Sequence, residues 1–308
     1  MSAIGIILII LAVLVVIVFL VGNLLYDLAL NPKSDKSKVF GNAGFEFEVD
    51  RPDDIFKTVP PEDAYIESDD GLKLHALIVR QPAEAHSEKW VIGIHGYLGE
   101  AKEMGWRNAE FYNHGYNCIF PDDRGHGGSE GDYIGMGWDD RMDILKWMAY
   151  INDTYPCSEI IMFGISMGGG AVMMTAGEAL PYNLKAIIED CGYTSIKDEF
   201  IFEGKSMFHI PYFPLVAAAN LICKFRAGYF FGDGSSVKQL AKATVPMLFI
   251  HGDSDHFVPS SMLDEVYDAA ACPKEKLVIK GAAHAKAMDT DPELYWKTIF
   301  DFIEKWCK

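Results

Sequence analysis

The chain has 308 residues, half of them hydrophobic, and a formal net charge of −17 at pH 7. This length suits one large domain with an appended segment, and the apolar content can fill a sizeable core. The negative charge and the lack of a basic stripe argue against a nucleic-acid partner, because phosphates are bound by clusters of Lys and Arg. We interpret the acidic surface as a source of solubility.

The N-terminal residues 3–22 form an apolar run without one charged side chain. A helix needs about 20 such residues to cross the hydrocarbon core of a bilayer. A cleaved signal peptide would have a basic start, a shorter apolar stretch and a small-residue cleavage site, and none of these is clear here. We therefore predict a retained single-pass membrane anchor at 1–30, with a signal peptide and a buried core helix as alternatives.

The sequence leaves open which face of the membrane the following domain occupies. Lys33, Lys36 and Lys38 follow the apolar run, which favours a cytoplasmic domain by the positive-inside rule. Asp27 and Asp35 are interspersed among them and weaken that preference. Six dispersed cysteines, none with Cys-x-x-Cys spacing, are expected to be mostly buried core residues, which also favours a reducing compartment.

The rest of the chain divides into a polar linker at 31–43 and one large domain at 44–308. Short apolar runs alternate with longer helical patterns, as is typical of a mostly parallel sheet with helices on both faces. In chain order we predict strands and helices as follows: strand 72–79, strand 90–95, helix 101–114, strand 117–121, helix 138–152, strand 159–163, helix 167–180, strand 185–189, strand 246–251, helix 260–271, strand 276–279 and helix 292–306.

One segment, at about 195–237, interrupts this alternation and is rich in Phe, Tyr, Pro and Ala. It falls between two predicted strands, at the edge of the sheet where sites of α/β proteins gather. We predict a hydrophobic cap over the site. The alternative is that its aromatic side chains pack against the main core.

The pentapeptide Gly-Ile-Ser-Met-Gly at 164–168 follows an apolar strand and opens a helical pattern. A serine hydroxyl becomes a useful nucleophile when it is exposed on a sharp strand-to-helix turn and paired with a base. The helix N-terminus adds amide donors for a developing oxyanion. Ser166 is therefore the predicted nucleophile.

The acid and the base are expected after the serine, in the order Ser, Asp or Glu, His. Asp253 and Asp255 both follow the strong apolar run that ends at His251, and Asp190 is a third candidate for the acid. His284 lies in a small-residue loop beyond the next predicted strand, and we predict it as the base.

Together these motifs resemble those of bacterial α/β hydrolases of the serine aminopeptidase-like and prolyl-oligopeptidase-like esterase group. The resemblance rests on His-Gly-Tyr at 95–97, Asp-Arg-Gly-His-Gly at 123–127, the serine pentapeptide, His-Gly-Asp-Ser-Asp-His-Phe-Val-Pro at 251–259, and His284. It implies an α/β-hydrolase fold with Asp255 as the acid and Asp253 as a turn residue. It also implies an oxyanion hole made by the backbone amides of Met167 and Tyr97.

The remaining histidines have structural interpretations. His95 and His126 are expected to hold their loops, and His256 is expected at a wet surface. The sequence has no His-Glu-x-x-His pattern, so we expect neither a metal nor another cofactor.

The predicted function is a serine carboxylesterase that acts on short to medium acyl esters or lipid-derived esters through an acyl-enzyme. An amidase, a peptidase or an acyl-protein thioesterase of the same fold is the alternative within enzymes. A catalytically silent binding protein is the alternative outside them. The expected partners are a small-molecule or lipid acyl substrate and the membrane that holds the N-terminal helix; the oligomeric state is left open.

Overall fold

A single eight-stranded sheet organises the chain in the computed structural model, which describes residues 2–36 and 51–307. The strands follow the order β1-β2-β4-β3-β5-β6-β7-β8, with β1 and β2 antiparallel to their neighbours and the others parallel. The strands are β1 Glu62–Glu67, β2 Lys73–Val79, β3 Lys89–Ile94, β4 Asn117–Pro121, β5 Glu159–Ile165, β6 Leu184–Asp190, β7 Met247–Gly252 and β8 Lys274–Ile279.

Helices cover both faces of this sheet, as the alternation in the sequence predicts. They are α1 Ala3–Leu30, α2 Met104–Arg107, α3 Ala109–Asn113, α4 Asp140–Thr154, α5 Met167–Thr175, α6 Ile196–Ser206, α7 Ala217–Arg226, α8 Ser236–Leu240, α9 Ser261–Ala269, α10 Ala287–Thr290 and α11 Pro292–Trp306. Alternate residues of β3 enter opposite core layers: Trp90 and Ile92 pack on one side with α4, and Val91 packs on the other.

The predicted fold class is confirmed, but the prediction missed one strand and joined two short helices into one. Strand β1 is missed by the sequence patterns because it is an edge strand with a mostly exposed, polar sequence. The single helix predicted at 101–114 is wrong. The chain there forms a 3₁₀ turn, Ala101–Glu103, followed by α2 and α3. Asn108 interrupts the helix with a φ of −115°, and its side-chain amide donates to the Met104 carbonyl at 2.9 Å.

Helix α1 is long and apolar enough to cross a membrane, and the most apolar stretch has no residue buried inside the protein. Its last turns behave differently, because Gly22, Tyr26 and Leu30 are buried against the rest of the chain. The Leu30 carbonyl accepts a hydrogen bond from the Ile134 amide at 2.8 Å. Of the predicted linker at 31–43, residues 37–43, and Lys38 with them, lie outside the described residues, as does the start of the predicted domain at 44–50.

The insertion at 195–237 contains α6, an irregular helical turn at Tyr212–Val216, α7 and the start of α8. Helix α7 and the irregular turn pack against α1. The aromatic side chains of the insertion divide between two environments: Phe200 and Phe231 pack edge to face with ring centroids 4.7 Å apart, whereas Phe213 and Phe225 are exposed.

Of the six cysteines, Cys118, Cys191, Cys223 and Cys272 are buried, Cys307 is half-buried and Cys157 is exposed. All six are free thiols, and the four buried ones confirm the prediction that most are core residues.

Candidate active site

Ser166 occupies a sharp turn between β5 and α5. Its φ of +57° lies in the left-handed region that non-glycine residues rarely adopt, so the turn is strained. The two flanking glycines make this geometry possible. A Cβ on Gly164 would lie 2.2 Å from the Gly168 carbonyl oxygen, and a Cβ on Gly168 would lie 2.3 Å from the Ile94 carbonyl oxygen. The pentapeptide thus needs its glycines for close backbone approach.

Three predicted residues meet at this turn. The Ser166 hydroxyl oxygen lies 2.8 Å from Nε2 of His284, and Nδ1 of His284 lies 2.7 Å from Oδ2 of Asp255. The three side chains come from different loops at the carboxyl ends of β5, β7 and β8, which meet at one edge of a parallel sheet. The arrangement is a continuous hydrogen-bonded chain from hydroxyl to carboxylate.

Asp255 is held as a carboxylate by its surroundings. Oδ1 accepts hydrogen bonds from the amides of Phe257 at 2.9 Å and Val258 at 3.0 Å, while Oδ2 faces both His284 and His251. Burial by itself would raise the pKa of Asp255, but hydrogen bonds to the two histidines outweigh burial and lower this pKa to about 2. Asp255 therefore stays charged throughout the neutral range.

His251 lies behind the acid and is a residue to which sequence reasoning assigned no role of its own. Its Nε2 is 3.0 Å from the Val258 carbonyl oxygen and 3.3 Å from Oδ2 of Asp255. Burial favours the neutral ring, but the hydrogen bond to Asp255 and the nearby carboxyl of Glu189 raise the pKa of His251 above its ordinary value. Its place at the end of β7, in the same loop motif as Asp255, is the signal that could have indicated the contact.

The other candidate acids have different partners. Asp253 is exposed and accepts a hydrogen bond from the Gly281 amide at 2.6 Å, which ties together the loops after β7 and β8. Asp190 accepts a hydrogen bond from the Tyr295 hydroxyl at 2.9 Å. Neither of these carboxylates has a hydrogen bond to His284 among the contacts of the described residues.

His95 and His126 lie where residues that hold their loops are expected. His95 contacts the Gly96 carbonyl oxygen through Nδ1 at 2.8 Å and accepts the Asp123 amide through Nε2 at 3.0 Å. His126 packs edge to face on His95, and burial lowers the pKa of His126 to about 3, so its ring is neutral. His256 is exposed.

The predicted oxyanion donors flank the serine. Met167 is the first residue of α5, and its side chain is fully buried. Gly96 approaches Ser166 so closely that a Cβ on it would lie 3.4 Å from the serine Cβ, and Tyr97 follows directly. The Tyr97 side chain lines the cavity, and its hydroxyl donates to the Ala29 carbonyl oxygen of α1 at 2.5 Å.

A cavity of about 850 Å³, part of it open to solvent, lies over Ser166. The cap supplies much of its wall, as predicted, but helix α1 also contributes, which sequence reasoning missed. The side chains that line it are mainly apolar: Leu25, Leu28, Ala29, Tyr97, Met136, Met167, Tyr193, Phe200, Met207, Phe208, Ile210, Val216, Ala219, Phe231, Phe257 and Val258, together with Ser166, Gly204 and two glutamates. The contact of α1 could not be anticipated, because its apolar pattern has no preferred face.

Glu199 and Glu203 are the two acidic side chains in this apolar wall. Both carboxylate oxygens of Glu199 and Oε2 of Glu203 are buried without a hydrogen-bond partner among the described residues. Burial, reinforced by the neighbouring carboxyl of Glu203, raises the pKa of Glu199 well above its ordinary value. Burial likewise raises the pKa of Glu203 to about 7.

The raised pKa of Glu199 predicts that stability falls as the pH rises. The folded protein keeps a proton that the unfolded chain releases near its ordinary pKa of about 4.3, so folding becomes less favourable above that pH. We expect Glu199→Met to raise the free energy of unfolding at pH 7.5 by about 1–3 kcal/mol, because it removes an unpaired buried acid. This increase in the free energy of unfolding should become smaller as the pH is lowered to 5.

Thermal and urea unfolding of the full chain at pH 5, 6.5 and 7.5 would measure this effect. Glu265→Met, at an exposed position of α9, is the matched control and should change the free energy of unfolding at pH 7.5 by less than about 0.5 kcal/mol. A Glu199→Met protein that is less stable than wild type at pH 7.5 would contradict the prediction.

Comparison with known proteins supports the architecture. Residues 85–220 match the family model of serine aminopeptidase, S33. The uncharacterized protein YqkD of Bacillus subtilis is 26% identical over 195 residues, which are 63% of this chain and 64% of that protein. The match thus spans slightly less than two thirds of that relative.

Solved structures share the same fold at low sequence identity. The esterase Pf2001 of Pyrococcus furiosus superposes with a TM-score of 0.66 at 20% identity, covering 85% of this chain and 98% of that one. The acylaminoacyl peptidase of Pyrococcus horikoshii superposes with a TM-score of 0.59 at 19% identity, covering 81% of this chain and 42% of that one. With its sheet order and its serine turn, the chain is therefore an α/β-hydrolase-fold protein whose central segment resembles the serine aminopeptidase family.

Proposed function

We propose that this chain is a serine hydrolase that cleaves carboxylic esters through a covalent acyl-enzyme. The observation that carries the proposal is the hydrogen-bonded chain from Ser166 through His284 to Asp255 beneath an apolar cavity. A serine, a base within hydrogen-bond reach and an acid that orients the base make up the arrangement that activates a hydroxyl for acyl transfer.

Each residue then has one task. His284 takes the Ser166 proton as the hydroxyl oxygen bonds to the ester carbonyl carbon, and Asp255 holds the imidazole in the tautomer that can accept this proton. The amides of Met167 and Tyr97 stabilise the oxyanion of the tetrahedral intermediate. Collapse of that intermediate breaks the bond to the alcohol, which leaves with the proton from His284. Water, deprotonated by His284, then releases the carboxylic acid and frees Ser166.

The cavity supports the choice of acyl esters. Its walls are almost entirely apolar around the serine, and apolar walls favour burial of an acyl chain over a charged or extended polar group. We therefore place short to medium acyl esters and lipid-derived esters first, with a carboxylesterase as the activity.

Helix α1 supports a retained membrane anchor. Its apolar residues are exposed along the first turns, while Leu25, Leu28 and Ala29 line the cavity itself. Removal of the helix as a signal peptide would take away part of the cavity wall. The anchor therefore belongs to the working protein in this proposal, and the membrane face of the domain stays undecided.

A peptidase or amidase is the second candidate, and one observation favours it. Glu199 and Glu203 place unpaired carboxyl groups in the cavity, where a substrate amine would find a partner. An acyl-protein thioesterase would use the same serine and the same apolar cavity.

Matched substrates separate these candidates. Purified full chain is given p-nitrophenyl butyrate and butyryl p-nitroanilide, which share an acyl group and differ in the bond that is cleaved. We expect faster turnover of the ester, with turnover of p-nitrophenyl esters rising from acetate to octanoate. A faster anilide would favour the amidase, and folded protein that neither turns over ester nor reacts with a fluorophosphonate probe would favour a binding protein.

A further inference from the structure

The position of the bilayer along α1 follows from its sequence and burial. Residues 3–22 are uncharged, and a helix of about 20 residues spans about 30 Å, the thickness of the hydrocarbon core. The exposed apolar side chains of α1 continue from Ile4 to Leu24, and Gly22 is the first buried residue. With α1 as the membrane anchor proposed above, the hydrocarbon core therefore ends close to Gly22.

The cap meets α1 at this same level. A Cβ on Gly22 would lie 2.6 Å from Cβ of Ala218, and Asp27 pairs with Arg226 at 2.7 Å. Helices α1 and α7 thus run in parallel. The irregular turn Tyr212–Val216, which precedes α7 and packs on α1, consequently lies at the membrane end of the cap.

This membrane end carries exposed aromatic side chains. Phe213, in the irregular turn that packs on α1, is 77% exposed, and Phe208, which precedes that turn, is 37% exposed; Leu20 and Leu24 are exposed on α1. Phe and Leu are among the apolar side chains that membrane-surface segments bury at the boundary between headgroups and acyl chains. An exposed ring continuous with an apolar membrane helix therefore fits a lipid surface better than water. We call Leu20, Leu24, Phe208 and Phe213 the membrane-side patch.

The cavity begins beside the membrane-side patch. Leu25 lies three residues beyond Gly22, about 4.5 Å further along the helix, and Ala29 lies about 10 Å further. Leu25 therefore lies at the level of the lipid headgroups, and Ala29 lies just outside them, on the water side. The facing wall comes from Met207, Phe208 and Ile210 of the cap, so Phe208 belongs both to the patch and to the cavity.

We propose that the cavity opens onto the bilayer between α1 and the 207–210 segment of the cap. A long-chain acyl lipid then passes from the membrane to Ser166 between α1 and the cap without first dissolving in water. The membrane-side patch rests on the lipid and holds this opening against it. The inference rests on the proposed function for its substrate class, esters of long-chain fatty acids, but its membrane contact is testable without catalysis.

The contact is tested with the full chain in vesicles of phosphatidylcholine and phosphatidylglycerol. Phe213→Cys is labelled with an environment-sensitive nitrobenzoxadiazole dye, in a background carrying Cys157→Ser and Cys307→Ser. Tyr182→Cys is the matched control, because Tyr182 is 93% exposed and lies just before β6. It is therefore at the amino ends of the strands, whereas Ser166 is at their carboxyl ends. We expect nitroxide-labelled lipids to quench most of the emission at 213 and little at 182. Equal quenching at the two positions would overturn the membrane contact.

The lipid entry is tested by hydrolysis in the same vesicles. Methylumbelliferyl oleate is placed either in the bilayer that holds the protein or in separate protein-free vesicles, and methylumbelliferyl acetate is supplied in water. We expect faster oleate turnover when enzyme and substrate share a bilayer. We also expect Phe213→Ser to lower that turnover by about fivefold, since one aromatic contact with lipid is lost, while acetate turnover is unchanged.

The outcomes separate the two proposals. Equal oleate rates in shared and separate vesicles, with acetate cleaved normally, would overturn the lipid entry and leave the esterase intact. Failure to cleave either ester would instead overturn the proposed function, whatever the quenching shows. Tyr182→Ser, which removes a more exposed ring away from the cavity, should change neither rate.

Discussion

Ester hydrolysis should fall by about 10⁴–10⁶ in kcat when Ser166 is replaced by alanine, because the acyl-enzyme can no longer form. The change removes one oxygen from a side chain that is already buried at a strained turn, so the fold should persist. Alanine keeps the Cβ and its surroundings. The remaining rate would come from the oxyanion donors and from substrate binding alone.

The measurement is steady-state hydrolysis of p-nitrophenyl butyrate, with circular dichroism to verify folding. Ser236→Ala is the matched control, since Ser236 is fully buried at the start of α8 and does not line the cavity. A fluorophosphonate probe should label wild type and Ser236→Ala but leave Ser166→Ala unlabelled. Wild-type turnover by folded Ser166→Ala would show that another residue is the nucleophile.

Much of this site was predictable because its motifs are local. The serine pentapeptide lies within one strand-turn-helix unit, where steric limits on the backbone select glycine on both sides. Asp255 and His284 lie far from Ser166 along the chain, but each follows a parallel strand of the same sheet. The carboxyl ends of such strands converge at one edge, so the order of the motifs along the sequence is enough to predict their meeting.

What escaped prediction depends on contacts between segments that no local pattern encodes. The last turns of α1 line the cavity, yet an all-round apolar helix gives no sign of which face packs against protein and which faces lipid. His251 reaches Asp255 through the folding of a loop rather than through a helical repeat. Strand β1 pairs at a polar edge, where alternation of apolar residues is weak.

The second large expected effect is on kcat, and it distinguishes Asp255 from Asp253 as the catalytic acid. Asp255→Asn should lower kcat for p-nitrophenyl butyrate by about 10³–10⁴, because an amide in place of Oδ2 can donate to Nδ1 of His284. That hydrogen bond would put the ring proton on Nε2, which then could not accept the Ser166 proton. Asp253→Asn should change kcat by less than about fivefold, since Asp253 accepts an amide of the turn and does not contact His284.

The low pKa of Asp255 also predicts how the stability of the folded protein depends on pH. Its carboxyl ionises with a pKa of about 2 in the folded protein, against about 3.9 in an unfolded chain. Its contribution to folding is therefore present above pH 4 and is lost as the pH falls towards 2. Asp255→Asn should accordingly be less stable than wild type at pH 7, with a smaller deficit at pH 3. If Asp253→Asn instead produced the larger loss of kcat, the acid would be Asp253, and the hydrogen bond between Asp255 and His284 would be structural.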